Sequence, residues 1–212
     1  MKGIIFDLDG VLIHTDEFHY RAWKQIADKI GAPFDRERNN LLRGVSRMES
    51  LEIILQGTSL QYTPEEKIAL AEEKNGTYRE LLKTLTRKDV AEEVRTTLAK
   101  LKEKGWKLAI GSSSKNARFI LQQVELIDEF DAISDGNNIV RSKPDPEVFL
   151  KAAEFMGLKP ADCYVVEDAT AGIAAANAGG FASIGMGAAA QEQTAKYALK
   201  TFADLLQVVE VI

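Results

Sequence analysis

The chain has 212 residues, 45% hydrophobic and 28% charged, enough apolar material for one large core or a core with a smaller companion. Its 27 basic residues against 32 acidic ones give a formal net charge of −5, and no basic run breaks the mixed pattern, which argues against a nucleic-acid partner. A single cysteine, Cys163, excludes an intramolecular disulfide and suits a reducing, cytoplasmic setting; lying just before Val165-Val166, it reads as a buried structural thiol.

Lys2 to Phe6 is expected to be a short buried strand, because Ile4, Ile5 and Phe6 form an uninterrupted apolar run. The chain therefore starts as strand, without the charged region, apolar stretch and cleavage site of a signal peptide. Asp7 and Asp9 follow at i and i+2, and Gly10 ends the strand. Strand side chains repeat direction every two residues, so both carboxylates leave the backbone on one side. Two like charges that close strain each other unless a cation lies between them or one stays protonated. Taken alone, the stretch could also be a plain acidic turn.

The period then changes. Phe18, Ala22, Trp23, Ile26 and Ile30 recur at helical spacing, and Gly31 with Pro33 stops that helix. Further helices are expected over 35–42 and 47–55. Thr63-Pro64-Glu65-Glu66 has the form of a capped helix start, with the helix running to about Leu85. No strand is expected between residues 17 and 85, so an all-helical cap, residues 16–85, is inserted into a core made of 1–15 and 86–212.

From Lys88 onwards strands and helices alternate. Helices are expected over 94–104, from Ser112 to about Val124, over 146–156 and over 169–178, and strands at 106–111, 132–133, 164–166 and 181–184. This alternation implies right-handed βαβ units: an α/β fold whose parallel sheet carries helices on both faces. Ala169 to Gln191 carries no charge and is long enough to raise a membrane flag. Its Ala and Gly content, with Asn177 and Gly179-Gly180, reads instead as a helix, a stop and a strand, so the protein is expected to be soluble, with no membrane partner.

In such sheets ligands gather at the carboxyl ends of the strands. Three predicted strands end in Asp7/Asp9, in Ser112 and in Glu167/Asp168, so polar groups far apart in sequence are expected to converge there. The four acids offer hard oxygen ligands suited to Mg²⁺. Ser112 offers a hydroxyl and free backbone N–H groups for phosphate oxygens. Lys143, stiffened by Pro144, offers a fixed positive charge. These are the parts for phosphoryl transfer through a carboxylate nucleophile.

Phe6-Asp7-Leu8-Asp9-Gly10-Val11, the Ser112 strand end, Ser142-Lys143-Pro144-Asp145-Pro146 and Val166-Glu167-Asp168 resemble the four motifs of the haloacid dehalogenase superfamily, in order. The resemblance implies a Rossmann-like core with a helical cap after the first strand. It also implies Asp7 as nucleophile and Asp9 as general acid/base, the second aspartate marking phosphotransferases rather than dehalogenases. Asp7 has to be ionised to attack, and Asp9 has to hold a proton for the leaving oxygen. Mg²⁺ would bind the Asp7 carboxylate, the Asp9 backbone carbonyl and Asp168, with Glu167 ligating or close by.

The cap segments His19–Trp23, Arg43–Arg47 and Lys74-Asn75, with Ser112–Asn116, are similar to the β-phosphoglucomutase family within that superfamily. That similarity implies a phosphorylated sugar as substrate, β-glucose 1-phosphate, exchanged with glucose 6-phosphate through the 1,6-bisphosphate by a monomeric enzyme. Arg47 would grip the distal phosphate with Ser114, Lys115 and Asn116. Arg43, Gly44 and Val45 would face the sugar with Trp23, Ser50 and Lys74 nearby, and His19 would orient Asp9.

Each of these residues has a plainer reading: His19 as a core histidine, Lys74 on a solvated face, Arg43 and Arg47 as surface charges, Ser112–Ser114 as a helix cap. The sequence departs from the family at His14, in an acidic position, at Arg43, in a lysine position, and at Val90–Val94, which lacks a Pro-Gly return. The rival functions are a sugar-phosphate phosphatase on the same fold and a non-catalytic sugar-phosphate binder.

Overall fold

A computed structural model describes residues 2–191 and 193–210. Six strands form one sheet: β1 (Gly3–Phe6), β2 (Lys107–Gly111), β3 (Ala132–Ser134), β4 (Cys163–Glu167), β5 (Ala182–Gly185) and β6 (Tyr197–Ala198). Their order is β3-β2-β1-β4-β5-β6 and every pairing is parallel. β1 sits centrally, buried on both faces, which is why its run is apolar without alternation. Ile4 and Phe6 pack into one core cluster with Leu108, Ile110 and Val166, and Ile5 packs on the other face with Ala109, Phe149 and Val165.

Register positions the site. Phe6 is level with Ile110 on one side and Val166 on the other, so the chain leaves β1, β2 and β4 at one edge with Asp7, Ser112 and Glu167 side by side. The core helices are α5 (Glu92–Glu103), α6 (Ala117–Gln123), α7 (Glu147–Met156), α8 (Thr170–Ala178) and α9 (Leu205–Glu210).

Between β1 and α5 stand four further helices: α1 (Asp16–Lys29), α2 (Arg36–Asn40), α3 (Arg47–Leu55) and α4 (Pro64–Leu82). No strand lies among them, as the helical period predicts. The helices α3 and α4 start with capping boxes, Ser46 with Glu49 and Thr63 with Glu66, each satisfying two backbone N–H groups. Trp23, Ile26, Leu51, Ile54 and Leu70 form a separate apolar cluster inside this cap, whereas Ala22, Tyr78 and Leu82 join the cluster of the sheet.

Two expectations need correction. Ser112–Ser114 does not open a helix; α6 begins at Ala117. The Ser112 hydroxyl accepts from Ser114 N–H and the Ser114 hydroxyl from Asn116 N–H, local bonds that compete with helix formation. The edge strand β6 and helix α9 were not expected, and α4 stops at Leu82 because Lys83 onwards leaves the helix by tighter turns. The 169–191 segment is α8, a glycine turn, β5 and a short 3₁₀ stretch; among the described residues no helix is long and apolar enough to cross a membrane.

Candidate active site

A cavity of about 680 Å³ lies between the cap and the carboxyl edge of the sheet. Its lining includes the acids Asp7, Asp9 and Asp168 and the basic and amide side chains of Arg47, Lys115 and Asn116.

The acid end is built around Lys143, which is fully buried and ion-paired with both Asp7 and Glu167, its Nζ 2.5 Å from Glu167 Oε1. Its Nζ lies over the Phe149 ring, 4.7 Å from the ring centre. Burial disfavours the Lys143 charge, but Asp7 and Glu167 more than reverse this and hold the ammonium protonated. Glu167 is also fixed by the backbone N–H groups of Asp168 and Ala169, at 2.9 and 3.1 Å. Two glycines make the space. A Cβ on Gly172 would lie 1.9 Å from the Glu167 carboxyl, and one on Gly10, at φ +85°, would lie 2.0 Å from Asp168 Oδ2.

Asp7, Glu167 and Asp168 each bring an oxygen within 4.8 Å of the others, and all three are buried. Burial, together with Glu167 and Asp168, pushes the Asp7 carboxyl well above its usual range despite Lys143. Burial and Glu167 push Asp168 up to about 7, with Arg43 pulling it down. Crowded, buried, all-oxygen donors short of positive charge are what a hard dication such as Mg²⁺ requires, so the residues present fit that ion.

Asp9 faces away from this cluster. Its carboxylate accepts from the Thr15 hydroxyl and lies 3.7 Å from His19 Nε2, while Thr15 Oγ1 is 2.9 Å from Tyr78 OH. Burial would raise the Asp9 carboxyl, but His19, Thr15 and Lys74 outweigh it and hold the group below its usual value. The surroundings thus raise the Asp7 carboxyl and lower that of Asp9. The cause is local: Asp7 faces two carboxylates, whereas Asp9 faces donors and a cation. Nor does the Asp9 side chain join the metal cluster.

Lys74 is buried, not on a solvated face. It sits 2.9 Å from His19 Nδ1 and over the rings of Trp23 and Tyr78, at 5.0 and 4.3 Å. Burial and the nearby Arg47 lower its pKa to about 7. His19 stacks on Tyr78 with ring centres 4.1 Å apart, so it belongs to the site rather than to the cap core. Burial and Lys74 lower its pKa against the pull of Asp9.

Arg43 lines the cavity and also reaches the acids, with Nη1 3.1 Å from Asp168 and Nη2 2.6 Å from Asp16. Gly44, Val45 and Ser50 line the cavity, and Gly44 C=O accepts from Ser113 Oγ at 3.2 Å, a cap-to-core bond. Arg47 is on the cavity wall, paired with Glu72. Asn116 donates to Asn75 Oδ1 at 2.9 Å, and both line the cavity with Ser112, Ser114 and Lys115. His14 is exposed and takes no part. Cys163 is buried and free, its thiol pushed up to about 11 by burial.

Sequence reasoning missed Thr15, Asp16, Glu72 and Tyr78. Tyr78 could have been found, since it follows Lys74 by one helical turn and so shares its face.

A parallel sheet with a lysine between two strand-end acids and a helical cap over them defines a phosphotransferase-type site of the haloacid dehalogenase kind. The sequence matches the haloacid dehalogenase-like hydrolase family over residues 1–180, and the chain belongs to that family. It is 45% identical over 189 residues to the β-phosphoglucomutase of Bacillus subtilis, spanning 88% of this chain and 84% of that protein. It is 30% identical over 187 residues to a phosphorylated carbohydrates phosphatase of Thermotoga maritima, spanning 87% and 84%. The crystal structure of a Clostridium difficile β-phosphoglucomutase superposes with a TM-score of 0.94 at 35% identity, covering all of this chain and 96% of that one.

Proposed function

We propose that the chain is a β-phosphoglucomutase, interconverting β-glucose 1-phosphate and glucose 6-phosphate in the cytoplasm through an aspartyl phosphate on Asp7 and a 1,6-bisphosphate. The observation that carries this is that one cavity is lined both by Asp7, Asp9 and Asp168 and by Arg47, Lys115 and Asn116, with Lys143 ion-paired to Asp7 behind the acids. A mutase has to hold two phosphates at once, whereas hydrolysis of a small ester needs one. The resemblance to a β-phosphoglucomutase at 45% identity supports the same reading. We assign residues 16–85 to the cap and 1–15 with 86–212 to the core.

In the proposed reaction an Asp7 oxygen attacks phosphorus, the bond from phosphorus to the sugar oxygen breaks, and that oxygen takes a proton from Asp9. In the return half an incoming sugar hydroxyl gives its proton to Asp9 and its oxygen takes the phosphoryl group from Asp7. The low pKa of Asp9 suits entry at the return half, where a base comes first. Asp7, Asp168 and Glu167 would hold Mg²⁺, which supplies positive charge that keeps Asp7 ionised and offsets charge on the phosphoryl group. Ser112 and its backbone would bind phosphate oxygens, Lys143 would fix Asp7, and His19 with Thr15 would aim Asp9. Arg47, Ser114, Lys115 and Asn116 would take the distal phosphate, with Arg forming paired bonds to two oxygens.

Asp7→Asn should abolish conversion of β-glucose 1-phosphate primed with glucose 1,6-bisphosphate; undiminished turnover would remove Asp7 as nucleophile. A sugar-phosphate phosphatase is the second reading, favoured by the likeness to the Thermotoga maritima phosphatase. Arg47→Ala separates the two, since a mutase should lose far more activity than an enzyme hydrolysing small esters.

A further inference from the structure

Arg47 does not meet the cavity as a bare cation. Its Nη1 donates to Glu72 Oε1 at 2.6 Å, so a carboxylate from α4 already takes one position on the guanidinium, and both side chains line the cavity. The partners are unequal: the Arg47 side chain is 19% exposed and that of Glu72 65%. The arginine is held by its surroundings, whereas the glutamate can turn into water at little cost.

The other cavity-lining acids are engaged elsewhere. Glu49 accepts from Ser46 N–H at 2.8 Å in the cap of α3, and Asp16 is held by Arg43. Nor is Glu72 needed to join α3 to α4, because Lys67 bonds both oxygens of Glu52 across the same helix pair, at 2.7 and 3.0 Å. Glu72 therefore sets one negative charge on Arg47, in a cavity whose lining also carries Lys74 and Lys115.

We propose that Glu72 is a built-in competitor for the phosphate ester that Arg47 binds: it occupies the guanidinium in the free protein and is displaced by the ligand. This rests on the reading of Arg47 as the distal phosphate site. Affinity for a ligand is reduced by the fraction of sites competent to bind it, so a carboxylate resident on Arg47 for most of the time weakens every anion. A phosphate dianion, with oxygens for two parallel bonds, overcomes the pair, whereas singly charged sugar acids do not. The returning carboxylate also shortens the stay of a bisphosphate that has to turn around within the cavity.

Calorimetric titration of the whole Mg²⁺-loaded protein with glucose 6-phosphate tests this in wild type, Glu72→Gln, Arg47→Ala and the double variant. Glu72→Gln should bind roughly three- to tenfold more tightly, the release expected from a half-exposed ion pair. In the Arg47→Ala background the same change should have no effect. Glu72→Gln binding no better than wild type while Arg47→Ala loses affinity would overturn the competitor and leave the distal site standing. Wild-type affinity in Arg47→Ala would overturn both.

Discussion

Arg43 reaches from the cap to the sheet and sets Nη1 3.1 Å from Asp168 Oδ2, with Nη2 2.6 Å from Asp16. A cation on one of the three clustered carboxylates lowers the negative potential that a metal would feel. Arg43→Gln, which removes the charge and keeps a donor, is therefore expected to tighten Mg²⁺ binding roughly three- to tenfold, as removal of a nearby like charge does. Titration of the two proteins with Mg²⁺ checks it, and an unchanged affinity would mean that Arg43 does not oppose the ion.

Lys143 is the positive centre on which two buried carboxylates depend. Lys143→Met leaves Asp7 and Glu167 facing each other without compensation, and breaking a buried pair in this way costs about 3–5 kcal/mol. Urea denaturation should register that loss, and saturating Mg²⁺ should return part of it by binding only the folded state. A variant as stable as wild type without the ion would contradict this account of the acid end.

Lys74 links stability to pH. Folded, it releases its proton near 7, whereas a free lysine does so near 10.5. The folded state therefore binds that proton more weakly than the unfolded one, so the penalty is full below about 7 and fades as the pH rises towards 10.5. Lys74→Met should be more stable than wild type at about pH 6 by on the order of 1–3 kcal/mol, the rings of Trp23 and Tyr78 offsetting part of the burial cost. The gap should narrow at about pH 9, and a gap independent of pH would mean that Lys74 keeps its proton throughout.

The sequence made the frame of the site legible because strand and helix periods are local signals. The apolar run before Asp7, the strand end at Glu167-Asp168 and the helical period from Phe18 to Leu82 each lie within one element, and register then brings Asp7, Ser112 and Glu167 together. What stayed hidden depends on partners distant in the chain. Composition alone leaves Lys74 in a charged run that could be solvated; the family resemblance sets it near the sugar, and its burial comes from α1, which covers it with His19 and Trp23. The bond from Arg43 to Asp168 joins residues 125 positions apart, which no local signal shows. The two-residue edge strand β6 is too short for any period to show. The opposite shifts of the Asp7 and Asp9 carboxyls follow from the groups packed around each, and no spacing encodes those.

The most direct test of the central claim follows two products from one reaction. Purified protein with Mg²⁺ and a trace of glucose 1,6-bisphosphate is given β-glucose 1-phosphate, and glucose 6-phosphate and inorganic phosphate are measured together. The account predicts glucose 6-phosphate appearing in step with substrate loss, with little free phosphate. Inorganic phosphate released in step with substrate loss, without glucose 6-phosphate, would contradict it and make the enzyme a phosphatase.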